Sequence, residues 1–151
     1  GIAKYFKRIP KIIIVEPENA DCVLQSVKVG EMKKIDIKKE SILGGMSCGE
    51  VSLVPWKILK NGVNNCISIS DENIAKTVAM LQKKHLSEET IIGGECATPG
   101  IISLIAACED ENIKNNLDLN EKSNVLLMGC EGDADKDLYK RLLNEGVNKL
   151  I

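Results

Sequence analysis

Short β-branched runs alternate with segments whose apolar residues recur every three or four positions, and this alternation organises most of the chain. Lys11–Val15 and Asn65–Ser70 are rich in isoleucine and read as strands, and Met32–Ile37 is a candidate short strand. Asn19–Val29 places Ala20, Val23, Leu24 and Val27 on one helical face, with Gly30 as terminator. Glu50–Leu59 predicts a helix interrupted near Pro55, and Asp71 predicts the cap of a helix from Glu72 to about Lys84. Thr98–Cys108 is apolar enough to lie inside the structure, whereas Asp110–Leu117 predicts a polar amphipathic helix. Gly1–Ile9 reads as the end of a helix stopped by Pro10. The last apolar run, Asn124–Gly129, predicts a buried strand, and a helix follows from near Lys136 with Asp133 or Asp135 as cap. Strands alternating with helices predict an α/β fold of three layers, with a mainly parallel sheet and helices on both faces.

Three turns in this pattern combine glycine, cysteine and glutamate: Gly44–Glu50, Gly93–Gly100 and Gly129–Asp133. Glycine lets backbone approach a ligand closely, and open α/β sheets place ligands beyond the carboxyl ends of their strands. Cys130 follows such a strand directly. Its functional reading stands beside a plainer one, a small buried hydrophobe. Glu50, Glu95 and Glu131 are acids or bases only if the fold gathers them. The commoner role of carboxylates in such turns is to accept loop N–H groups.

Other chemistry lacks support. The six cysteines are scattered with no CxxC pair, and the one histidine, His85, stands in a lysine-rich stretch, so neither a zinc site nor a disulfide framework is expected. No metal is expected. No serine occupies a GxSxG turn, and Walker and GxGxxG signatures are absent. Lys57, Lys60 and Lys76 read as solvated surface. The 20 Lys and Arg against 22 Asp and Glu give no basic footprint, and aromatics are 3% of residues, so nucleic-acid binding is not expected. The longest apolar runs are too short to span a bilayer, and a soluble cytoplasmic protein with reduced thiols is expected.

Taken together, Val15-Glu16-Pro17, Ala20-Asp21-Cys22, Gly45–Glu50 followed by Trp56-Lys57-Ile58-Leu59, Gly94-Glu95 before a helix, and Glu131-Gly132-Asp133 resemble a known family. It is that of the tryptophan-synthase-β-like (fold type II) enzymes that use pyridoxal phosphate (PLP), nearest within it to the diaminopropionate ammonia-lyases. The resemblance implies that residues 1–151 are the C-terminal part of a lyase-like domain. The lysine that bonds PLP and the glycine-rich phosphate loop would then lie upstream of Gly1, and the chain's opening inside a helical pattern agrees. This chain would supply the far wall of the cofactor site. Backbone at Gly44, Gly45 and Met46 would line one edge of the pyridine ring, Cys130 would face the ring nitrogen, and Glu95 would stand near the active site. A thiol at that nitrogen does not keep it protonated as a carboxylate does, which suits elimination or replacement at the β-carbon.

The resemblance implies a small amino acid as substrate, the missing N-terminal half as structural partner, a homodimer in the parent enzyme, and weak PLP binding by this piece alone. The lyases generally carry threonine where Cys130 stands, and serine dehydratase-like relatives carry cysteine. Elimination of ammonia from 2,3-diaminopropionate therefore stands beside a serine/threonine dehydratase-like activity and the β subunit of a 2-amino-4-oxopentanoate thiolase. The reading outside enzymology is a self-standing α/β binding module.

Overall fold

A computed structural model describes residues 9–150. Its sheet, among the described residues, has two parallel strands, β1 (Ile13–Pro17) and β2 (Asn65–Ile69), in a register that opposes Val15 to Ile67. Six helices lie among the described residues, in chain order α1 (Cys22–Val29), α2 (Leu53–Gly62), α3 (Ile74–Gln82), α4 (Pro99–Glu109), α5 (Glu111–Asn116) and α6 (Lys136–Asn148). Single 3-10 turns at Gly44–Met46, Asp71–Asn73 and Glu95–Ala97 punctuate the connections.

Side chains of a strand alternate between its two faces, and this divides the layers. Glu16 points to α1, where its carboxylate accepts the backbone N–H groups of Val23 and Leu24 at 2.9 and 2.8 Å. Val15, Ile67 and Ile69 point the other way, into a core with Ile74 and Val78 of α3, Ile102 of α4 and Leu142 of α6. Helices thus cover both faces of a parallel sheet, the α/β arrangement that the alternation predicts. Burial raises the Glu16 carboxyl above its usual range, opposed by the two N–H groups it accepts. A second, smaller core gathers Cys22, Val51 and Trp56.

Local chemistry explains where the elements start and stop. Gly30 takes φ +77° and its N–H returns to the Ser26 carbonyl, ending α1 in a left-handed cap. Pro55 does not interrupt a helix: it lies in the first turn of α2, where its missing N–H has no intrahelical partner to lose. Pro99 opens α4 for the same reason. Asp110 and Asp135 cap α5 and α6, Asp135 through Asp137 and Leu138 N–H at 3.1 and 2.9 Å. Asp71 behaves otherwise. Its carboxylate accepts Ser41 Oγ and Ile42 N–H at 2.6 and 2.9 Å, so it anchors the loop before Leu43 and does not cap its own helix.

Three expectations need correction or fall outside view. Asn124–Gly129 is no strand, because no neighbouring strand among the described residues offers its backbone a partner. It keeps a strand's alternation even so, with Leu127 turned onto Gly100 of α4 and Leu126 and Met128 out. Its burial was also misjudged: Leu126 is 62% exposed and Met128 66%. Met32–Ile37 forms no ladder either, and a single bond from Ile35 N–H to the Gly49 carbonyl holds it. The helix expected at Gly1–Ile9 lies outside the described residues except for Ile9, which is exposed.

Candidate active site at the carboxyl end of the sheet

The turns that carry glycine, cysteine and glutamate meet at one end of a cleft of about 1300 Å³. Gly45, Met46, Cys96, Cys130, Glu131 and Gly132 border it there, and β1, the face of α4 and the 124–128 segment continue its walls. Two backbone-level contacts pin the turns together. The Glu131 carboxylate accepts the Cys96 N–H at 2.8 Å, and the Glu131 carbonyl accepts the Gly94 N–H at 3.1 Å. Gly94 has to be glycine here, since a Cβ would lie 2.3 Å from the Gly132 carbonyl oxygen. Gly45 is less confined: a Cβ there would touch Cys96 Sγ at 3.4 Å.

The sequence of the second turn explains its rigidity. Thr98 is fully buried, and its hydroxyl donates to the Glu95 carbonyl at 2.7 Å, closing the Glu95–Ala97 turn. The Thr98 carbonyl then accepts Ile101 and Ile102 N–H and launches α4. The turn is therefore locked to the helix that floors the cleft.

Electrostatics separates the two cysteines of the site. Burial, reinforced by the Glu131 and Glu95 carboxylates and opposed by the Gly45 N–H, pushes the Cys96 thiol up to about 11. Cys96 is thus a neutral packing and hydrogen-bonding group. Cys130 is exposed at the cleft wall. Glu95, Cys96 and Glu131 each bring one potential ligand atom within 4.8 Å of the others. Part of that proximity is the hydrogen bond from the Cys96 N–H to the Glu131 carboxylate.

Of the residues singled out in the sequence, Gly45, Met46 and Cys130 border the cleft, with Gly44 in the same turn and Glu95 beside Cys96. Glu50 is not gathered with Glu95 and Glu131; it lies exposed and pairs with Lys34 at 3.7 Å. Glu131 is the residue whose part was underrated, since it is the clamp between two turns. The signal for it was available, because a carboxylate between Cys130 and Gly132 has loop N–H groups nearby to accept. His85, Lys57, Lys60 and Lys76 are exposed. Lys11 borders the cleft and is held by an ion pair with Asp118.

A parallel α/β sheet with glycine turns at its carboxyl end is the arrangement in which open α/β proteins place their ligands. The sequence pattern of pyridoxal-phosphate dependent enzymes matches residues 1–130, and the chain belongs to that family. Diaminopropionate ammonia-lyase of Escherichia coli strain K12 is 31% identical over 137 residues, covering 89% of this chain and 34% of that protein. The Salmonella typhimurium enzyme of the same name is 28% identical over 151 residues, covering 96% of this chain and 37% of its relative. A crystal structure of the E. coli lyase in complex with D-serine superposes with a TM-score of 0.80 at 30% identity, over 93% of this chain and 35% of that one. The fold is that of the type II PLP enzymes, and maize serine racemase shares it with a TM-score of 0.71 at 20% identity. The chain spans about a third of the length of the curated relatives it matches.

Proposed function

We propose that this chain forms one wall of the PLP site of an ammonia-lyase acting on 2,3-diaminopropionate or a similarly small amino acid. The carrying observation is the meeting of the Gly44–Met46, Glu95–Ala97 and Cys130–Gly132 segments at one end of the cleft, in a chain 31% identical to a lyase of that name. The turns fit a flat ring. Gly44 and Gly45 present backbone without side chains, nothing lies within 4 Å of where a Gly44 Cβ would be, and Gly45 rests against Cys96.

PLP supplies the electron withdrawal that makes the α-hydrogen of an amino acid acidic. The residues of this chain do the rest of the wall's work. Gly44, Gly45 and Met46 would hold the cofactor ring through backbone. The Cys130 thiol would serve the ring nitrogen as a weak hydrogen-bonding group in place of a fixed carboxylate. Glu95 stands beside the substrate and holds or moves a proton there. Glu131 acts through others, keeping the Cys96 and Gly94 N–H groups in place. The lysine that bonds the cofactor and the phosphate loop belong to the remainder of the same polypeptide. The net reaction converts 2,3-diaminopropionate and water into a 2-keto acid and two ammonia molecules. A homodimer of the complete protein and a cytoplasmic location complete the proposal; among the described residues no helix is long and apolar enough to cross a membrane.

The test uses the complete protein, reconstituted with PLP and assayed for ammonia and keto acid from 2,3-diaminopropionate, serine and threonine. Turnover of diaminopropionate at least tenfold above the other two supports the lyase reading. PLP binding with turnover of serine or threonine alone moves the substrate to the dehydratase-like reading. No PLP binding sinks both. Cys130→Asp in the same protein should shift the cofactor spectrum, and an unchanged spectrum removes Cys130 from the ring nitrogen.

A further inference from the structure

Two adjacent glycines carry the backbone of the proposed ring site, and a glycine pair has no side chain of its own to fix it. Whatever holds Gly44–Met46 in place therefore acts from the flanks. On the far flank, a Gly45 Cβ would touch Cys96 Sγ at 3.4 Å, which limits the turn without bonding it. On the near flank the hold is tighter. Ser41 is buried, and its hydroxyl donates to one carboxylate oxygen of Asp71 at 2.6 Å and accepts the Leu43 N–H at 3.1 Å. The other carboxylate oxygen of Asp71 accepts the Ile42 N–H at 2.9 Å. Leu43 is fully buried in the main core, and its carbonyl accepts the Met46 N–H at 2.9 Å to close the turn.

Asp71 stands where the sheet ends. Strand β2 stops at Ile69, whose carbonyl accepts the Glu18 N–H at 2.8 Å, and α3 begins at Ile74, which is fully buried. Both flanks of Asp71 are thus fixed by packed elements. Its carboxylate caps no helix, and among the described residues it joins no ion pair. Both of its oxygens are spent instead on donors of the 41–42 segment, some thirty residues away in sequence. Such charge-assisted bonds are about twice as strong as neutral ones. Neither Asp71 nor Ser41 is among the residues that border the cleft.

We infer that Asp71 and Ser41 are positioning residues for the proposed site, holding the Gly44–Met46 backbone in place from outside the cleft. They act through Ile42 and Leu43 and touch the turn only by way of them. Asp71 ties the 41–43 segment to the end of β2, and that segment sets the level at which Gly44 and Gly45 present their backbone. The turn then follows the sheet, while its glycines stay free of side chains that would fill the cleft. This inference rests on the proposed function for the identity of the ligand and adds what fixes the backbone that meets it.

Two variants of the complete protein test it, each with two readouts. Ser41→Ala removes the shared hydroxyl, and Asp71→Asn keeps the shape but leaves one acceptor oxygen in place of two. Each should speed amide hydrogen exchange at Met46 and Ser47 about tenfold or more, with Val78 of α3 unchanged as internal reference. Each should also raise the PLP Kd, read from cofactor absorbance against concentration, by about tenfold. The double variant should exceed either single one by no more than about threefold, since both act through one link. Exchange at Met46 and Ser47 at the parent rate overturns the inference. Equal acceleration at Val78 also overturns it, because the pair then supports the whole fold and not the turn. Faster exchange at the turn with unaltered PLP affinity overturns it as well. A parent protein that binds no PLP refutes the proposed function, and exchange at Met46 and Ser47 still decides whether Asp71 and Ser41 hold the turn.

Discussion

The seam between α3 and α6 and the trough of the cleft beside β1 are both apolar surfaces, packed to different degrees. At the seam, Ala75, Val78, Tyr139 and Leu142 are buried together, and Gly146 lets the helices approach until backbone meets backbone. At the trough, Leu126 and Met128 are largely exposed and one edge of β1 is bare. Both regions are aliphatic, so hydrophobicity alone does not distinguish a finished interface from an unfinished one. Geometry does. At the seam each surface has a complementary surface within reach, and at the trough none is present among the described residues.

The largest effect is expected where the seam is tightest. A Cβ at Gly146 would lie 1.9 Å from the Ala75 carbonyl oxygen and 2.8 Å from Ala79 Cβ. The first is backbone and does not move aside, so α6 has to shift as a unit. Gly146→Val should cost about 3 kcal/mol or more, enough to leave most of the chain unfolded if its stability is ordinary. Chemical denaturation followed by circular dichroism measures this. A loss below about 1 kcal/mol would mean the two helices are not packed as described.

Gly94→Ala probes the contact between two of the glycine turns, since its added methyl meets the Gly132 carbonyl oxygen. A loss of about 1–3 kcal/mol is expected, with the Glu131–Cys96 clamp opened. In the complete protein the same change should weaken PLP binding, read from cofactor absorbance against concentration. Unaltered affinity would show that the two turns need not be joined.

What the sequence made readable follows the same division. Gly30, Pro99, Asp110 and Asp135 were legible because caps and terminators act on neighbours in sequence. Pro55 and Asp71 misled for want of context: the start of α2 at Leu53 hides the missing proline N–H, and a loop thirty residues earlier captures the Asp71 carboxylate. The glycine turns were recognisable singly. Their meeting, and the clamp by Glu131, depend on contacts 35 residues apart that periodicity does not encode. Asn124–Gly129 carries the composition of a strand but not the partner, and a strand exists only in a pair. Its misreading as a finished strand is the sequence-level trace of the trough.

Glu131→Gln should cost less, about 1 kcal/mol, because a neutral amide oxygen still accepts the Cys96 N–H. Its clearer signature is in pH. Cys96 in the folded chain titrates at about 11 against 9.0 for an ordinary thiol, so its contribution to stability is whole below pH 9 and is lost as pH rises through 11. Removing the Glu131 charge lowers the folded value and narrows that window from above. Thiolate ultraviolet absorbance, titrated in the variant and the parent, should show one thiol ionising earlier. Superimposable titrations would mean that burial alone sets Cys96.

The smallest effect is expected in the trough, and its smallness is the point. Leu126 is 62% exposed, so Leu126→Asp in this 151-residue chain removes little buried apolar surface and should change stability by no more than about 0.5 kcal/mol. If the proposed remainder of the polypeptide covers this face, the same side chain is buried there. A carboxylate there would have to be desolvated without a partner, and the expected loss rises to several kcal/mol. The ratio of the two losses measures how much of this surface the rest of the polypeptide covers. Equal small losses in both proteins would leave the trough open to solvent and set it apart from the seam for good. A large loss in the short chain alone would mean that residues 124–128 already belong to its core.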